Sequence, residues 1–120
     1  MKLSQAEIIK SVLETMLETK GIVGYKIARN LRMINEELIE YEEIKRELFR
    51  KYGREENNQL IIDKDSENYP LFLAEIKPYQ EQEVNFKFRK ITEEELAESG
   101  LSANQMMFLM EYFEEGDEDS

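Results

Sequence analysis

Residues 24–52 contain no proline and no glycine after Gly24, and Gly53 follows at once. Within this run Leu31, Ile34, Leu38, Tyr41, Leu48 and Tyr52 recur at alternating three- and four-residue steps, with Lys45 as a polar interruption. Ile27, Ile44 and Phe49 widen the stripe. That spacing belongs to one buried helical face, and Gly53 is its stop signal. The run predicts a single helix about 42 Å long at 1.5 Å per residue. A chain of 120 residues must then find cover for the whole of that length.

The segment before it supplies only part of the cover. Ser4-Gln5-Ala6-Glu7 has the pattern of a capping box, in which side chains at the two ends satisfy each other's backbone amides. Ile8, Ile9, Val12, Leu13, Met16 and Leu17 then predict one apolar helical face, ending near Lys20 with Gly21 as the stop. This first helix is too short for its neighbour. Either another element packs along the distal half of the long helix, or the chain forms a homodimer.

Downstream, residues 53–58 read as a polar turn and residues 59–63, rich in β-branched side chains, as a short strand. Tyr69-Pro70 opens a short helix bearing Phe72, Leu73 and Ile76, which should end or kink before Pro78. From Glu83 to Ile91, Val84, Phe86 and Phe88 alternate with Asn85, Lys87 and Arg89. That is the period of a half-buried strand, and the strand near Leu60 is its expected partner. Thr92-Glu93-Glu94-Glu95 is a second capping box before a short helix closed by Gly100. Ser102-Ala103-Asn104-Gln105 is a third, opening a helix with Met106, Met107, Met110 and Phe113 on one side. The expected fold is α+β and mostly helical: an N-terminal helical hairpin with one long helix, a small antiparallel sheet and short C-terminal helices. Residues 1–113 are expected to form a single domain, and 114–120 an acidic, disordered tail.

Charge is distributed unevenly over this framework. The stretch from Thr92 to Ser120 holds ten carboxylates and no Lys or Arg, so it carries almost all of the net charge of −11. An anionic end attracts basic protein surfaces and repels phosphate backbones. The expected partner is therefore a protein with a basic surface. Direct nucleic-acid binding is not expected, unless a local basic patch is shielded from the acidic end. The candidate partner-binding residues are Glu93, Glu94, Glu95, Glu98, Glu111, Glu114, Glu115 and Asp117. The last helix carries more apolar residues than one buried face needs, so Met106, Met107 and Met110 are candidates for self-association.

Several chemistries are closed to this composition. With no cysteine and no histidine there is no disulfide, no thiolate metal site, no Cys nucleophile and no imidazole base. The five glycines stand singly, so no phosphate-cradling loop can be assembled from them. No catalytic residue, metal ligand or cofactor is expected, and the chain reads as a non-enzyme. Glu36, Glu37, Glu40, Glu42, Glu43 and Glu47 fall away from the apolar stripe as a solvated face, with Glu42–Arg46 and Glu47–Lys51 as i,i+4 pairs. Residues 63–68 open like a calcium loop, but Asn68 stands where a glycine is required and Ala74 where a glutamate is required. Lys45, Arg46, Arg50, Lys51 and Arg54 suit the C-terminal end of a helix and offer a dock for the acidic end of the chain. No apolar run approaches the roughly 20 residues of a membrane span. Residues 1–7 lack the apolar stretch of a signal peptide. A cytoplasmic location is expected, with no membrane contact.

In the order of its pieces the chain resembles a family of small phage and prophage proteins known as a domain of unknown function. A Met-Lys-Leu start leads into a helix. Tyr25-Lys26-Ile27-Ala28-Arg29-Asn30-Leu31 follows, then a Glu-rich helix ending Lys51-Tyr52-Gly53 and a charged loop. A strand and the segment Glu83-Val84-Asn85-Phe86 precede a final acidic helix. The resemblance implies a phage origin, and with it a host or phage protein with a basic surface as partner and the cytoplasm of a host cell as location; it brings no catalytic residues. Two functions fit these expectations. One is an acidic nucleic-acid mimic that inhibits a host defence or nucleic-acid-binding protein, of the anti-CRISPR or anti-restriction type. The other is a virion-assembly or tail-associated accessory protein that oligomerises through its helices.

Overall fold

The computed structural model describes residues 1–114. Helix α1 (Leu3–Glu14) and helix α2 (Gly21–Tyr52) form the helical hairpin. Strands β1 (Arg54–Glu56) and β2 (Gln59–Ile61) form a two-stranded antiparallel sheet, followed by α3 (Asn68–Gln80), α4 (Glu93–Ala97) and α5 (Ala103–Phe113). Contacts divide the chain into two compact units. One holds Met1–Glu7 and Glu36–Asn85, and the other Ile8–Asn35 and the chain from Phe86 onward. The tail expected over 114–120 falls, apart from Glu114, outside the described residues.

The hairpin turn differs from its expectation at both ends. Helix α1 opens at Leu3, before Ser4, and the Gln5 side chain accepts from the Lys2 amide at 3.1 Å. It stops at Glu14 because the next bonds tighten to i,i+3: Thr15 N–H donates to Val12 and Met16 N–H to Leu13. Gly21, with φ of +75°, starts α2 instead of closing α1. Helix α2 therefore spans 32 residues and contains Gly24. A Cβ there would collide with the Thr19 carbonyl, so the turn lies directly against the helix and only glycine admits it.

In the first unit Leu3, Ala6, Leu38, Tyr41, Phe72 and Ile76 form the core. The distal half of α2 is covered by α3 from the same chain. Phe49 and Phe72 meet edge to face at 4.9 Å, Lys51 pairs with Glu75 at 3.2 Å, and the Tyr52 hydroxyl donates to Glu75. Helix α3 also runs through Pro78, where a stop or kink was expected. Pro78 lies within the last turn, so it removes only one intrahelical bond, to the Ala74 carbonyl. Pro70 sits in the first turn, where amides lack intrahelical partners in any case.

The sheet is a hairpin between neighbours in sequence, with Glu55 opposite Leu60. Asn57 and Asn58 take φ of +52° and +65°, the conformation a two-residue hairpin turn demands. Residues 54–56, expected as turn, are thus the partner of the strand near Leu60, and residues 83–91 are not. A two-residue closure costs far less chain entropy than bringing residue 83 back to residue 60.

In the second unit Ile9, Leu13, Met16, Val23, Ile27, Leu31, Ile34, Ile91, Leu96, Leu109 and Phe113 are buried. The extended segment leading to Ile91 alternates as expected, with Phe86 and Phe88 turned inward and Lys87 and Arg89 exposed. Its backbone is held by a side chain. Arg89 N–H donates to Asn30 Oδ1 at 2.8 Å, and Asn30 Nδ2 donates to the Arg89 carbonyl at 3.1 Å. Asn30 is wholly buried and supplies the donor and acceptor that a neighbouring strand would have supplied. Beyond it, Ile91 N–H donates to the Phe113 carbonyl at 2.8 Å, forming an isolated parallel bridge with Glu114.

Candidate functional site

The acidic candidates start at the N-terminus of α4. Thr92 Oγ1 accepts from the Glu95 amide, and Glu95 Oε1 accepts from the Thr92 amide, both at 3.0 Å, so the expected capping box is present. Glu93, Glu94 and Glu95 fill the first turn, where the exposed amides and helix dipole favour negative charge. Only Glu95 turns inward. Its carboxylate takes Lys26 Nζ at 2.9 and 3.2 Å, and the same ammonium donates to the Lys90 carbonyl at 2.6 Å. The Thr92 amide and, next to it, the Lys26 ammonium hold Glu95 below the ordinary carboxylate range.

Glu93, Glu94 and Glu98 face solvent. Among the described residues none of the three has an ion-pair partner. Glu94, Glu95 and Glu98 line a groove of about 540 Å³ whose wall includes Lys20, Ile22 and Ala97. Lys20 and Ser99 also border a second hollow of about 370 Å³ beside Thr15, Thr19 and Gln105. Three of the eight candidate carboxylates therefore lie on α4, and a fourth, Glu98, at its C-cap. Glu111 and Glu114 are exposed on and just after α5. Glu115 and Asp117 lie outside the described residues.

Helix α5 opens with the expected box between Ser102 and Gln105. It buries Leu109 and Phe113, and the Phe113 ring meets Phe88 edge to face at 4.8 Å. Met106 and Met110 flank that face and are half-buried, whereas Met107 is 62% exposed. Of the three methionines, Met107 alone presents a largely free side chain.

Lys45, Arg50, Lys51 and Arg54, near the end of α2, have local partners within the first unit. Lys45 pairs with Glu7 at 2.8 Å, Arg50 with Glu47 at 3.2 Å, Lys51 with Glu75, and Arg54 with Glu56 and Asp63. Glu7 is thereby withdrawn from the expected N-terminal capping box. Its carboxylate accepts both Lys45 Nζ and, at 3.0 Å, the Tyr41 hydroxyl. Burial, and then the adjacent Glu7 carboxylate, push the Tyr41 phenol upward, so it remains a donor throughout the neutral range. Lys45, a break in the apolar stripe by sequence, is the residue that ties α2 to α1 at that level. Asp63 is engaged by Arg54, and α3 begins at Asn68, where a calcium loop would still be turning.

Sequence reasoning missed Lys26 and Asn30 as organising residues. Asn30 did leave a signal: it is a polar residue between Ile27 and Ile34, on the face that is otherwise apolar. No family model, no curated protein and no solved structure matches the chain.

Proposed function

We propose that this chain is a non-enzymatic interaction protein of phage or prophage origin, acting in the host cytoplasm. Its acidic α4 face stands in for nucleic-acid phosphates on the basic surface of a host defence or nucleic-acid-binding protein, in the manner of an anti-CRISPR or anti-restriction inhibitor. The observation that carries this reading is the division of labour among the α4 carboxylates. Glu95 is consumed by the fold, while Glu93, Glu94 and Glu98 are exposed and have no ion-pair partner among the described residues. Each adds only a modest screened attraction, so the effect depends on their number. The resemblance to small phage proteins supports the setting.

The test replaces Glu93, Glu94 and Glu98 together with Gln and leaves Glu95 in place. Wild-type protein should capture a host protein that is released both by raised salt and by competing duplex DNA, and the triple variant should capture none. Retention of the partner by the triple variant at physiological salt would overturn the reading. A second reading, virion assembly or a tail-associated role, is favoured by the exposure of Met107. It predicts self-association that persists at high salt and that Met107→Ser removes.

A further inference from the structure

The second unit also carries a surface of the opposite sign. Residues 21–35 contain Lys26, Arg29 and Arg32 and no carboxylate, and residues 84–91 contain Lys87, Arg89 and Lys90 and again no carboxylate. From position 86 onward this second stretch lies in the same unit as the first, and the two are held side by side. The Asn30 amide holds the Arg89 backbone from both sides, and Lys26 bonds the Lys90 carbonyl. Lys26 is neutralised by Glu95, but Arg29 and Lys87 are exposed and have no ion-pair partner among the described residues. Tyr25, one helical turn before Arg29 and on the same side of α2, is 52% exposed. The Arg89 guanidinium lies 5.9 Å from its ring centre. An aromatic ring left open to solvent and bordered by guanidinium groups from two separate segments serves the core in no evident way.

We propose that Tyr25, Arg29, Lys87 and Arg89 form a binding surface for single-stranded nucleic acid. An unpaired base stacks on Tyr25, and the flanking phosphates lie against the three cations. An open ring offers nothing to a duplex, whose bases are already stacked, so the single strand is the fitting ligand. This surface is the local exception to the repulsion expected from a net charge of −11. Backbone bonds to Asn30 place Arg89, and its guanidinium beside the Tyr25 ring sets a cation next to the base that stacks there. The inference is independent of the α4 proposal, since the residues and the ligand are different.

The test is fluorescence anisotropy of a labelled oligo-thymidine of about 12 nucleotides, within the site sizes such surfaces span, titrated with the full chain at low salt. Binding is expected, with affinity falling as salt rises on a log–log slope of about −2, from roughly 0.7 per neutralised phosphate at three contacts. The double variant Arg29→Ala with Arg89→Ala should bind at least about tenfold more weakly and lose more than half of that slope. Tyr25→Leu should weaken binding by roughly 5- to 100-fold with the slope unchanged, which separates stacking from charge. These residues are exposed, and an unchanged circular dichroism spectrum confirms that the variants fold. The proposal is overturned if the oligonucleotide does not bind at low salt or if the double variant binds it equally well. It is also overturned if duplex DNA or a polyglutamate peptide binds more tightly than the single strand.

Discussion

Truncating Asn30 to Ala tests whether one buried amide anchors the segment that ends at Ile91. The side chain is fully buried, and it makes two hydrogen bonds of 2.8 and 3.1 Å to the backbone of Arg89. A net bond contributes about 1 kcal/mol, and a part-buried backbone group left unpaired costs about 1–3 kcal/mol. Allowing for water to reach one orphaned group, the expected loss is roughly 2–4 kcal/mol. For a domain of this size that corresponds to a fall in Tm of roughly 8–15 °C. Thermal unfolding followed by circular dichroism, with urea titration beside it, gives both numbers. The companion variant Asn30→Asp keeps the acceptor for the Arg89 amide but sets a carboxylate against the Arg89 carbonyl. Burial and that carbonyl raise its folded pKa above the unfolded value, near 3.9. Its stability therefore suffers at neutral pH and recovers on acidification, as protonation restores a donor. A loss below about 0.5 kcal/mol in Asn30→Ala, under even a single net bond, would refute the reasoning. So would an Asp variant whose deficit is the same at pH 4 and pH 7.

Leu38→Ala should cost about 2–5 kcal/mol in urea titrations, because Leu38 is completely buried. Gly24→Ala should destabilise by more than about 1 kcal/mol although alanine is the better helix former, because its Cβ would meet the Thr19 carbonyl; an unchanged Tm would show that the turn can move away. Glu95 has its folded pKa depressed, so its stabilisation is present above the ordinary glutamate pKa of about 4.3 and disappears as pH falls through the lower folded value. Glu95→Gln should therefore be less stable than wild type at pH 7, with the difference closing towards pH 3 in parallel denaturation curves.

Local patterns announced the helices. The apolar spacing of α2, the capping boxes of α4 and α5, and the alternation of Phe86 and Phe88 with Lys87 and Arg89 are all properties of residues a few positions apart. The folded chain reproduces them. The absence of Lys and Arg after Thr92, which gathers the net negative charge at that end, is likewise a fact of sequence alone. What no local pattern carries is the identity of the partner. Residues 83–91 have the period of a strand, but whether a strand or the side chain of Asn30 completes them depends on which element arrives beside them. Glu7 has the spacing of a capping residue, yet α2 brings Tyr41 and Lys45 to it, and an ion pair supported by a phenol displaces the cap. Glu95 and its exposed neighbours Glu93 and Glu94 are alike by sequence. Lys26, 69 positions away, separates them into one structural carboxylate and two that have no ion-pair partner among the described residues. Side-chain chemistry and short-range spacing set the elements. Pairing between distant polar groups is decided only when tertiary packing removes water from between them, because a buried donor or acceptor must then find whatever partner the fold has placed within reach.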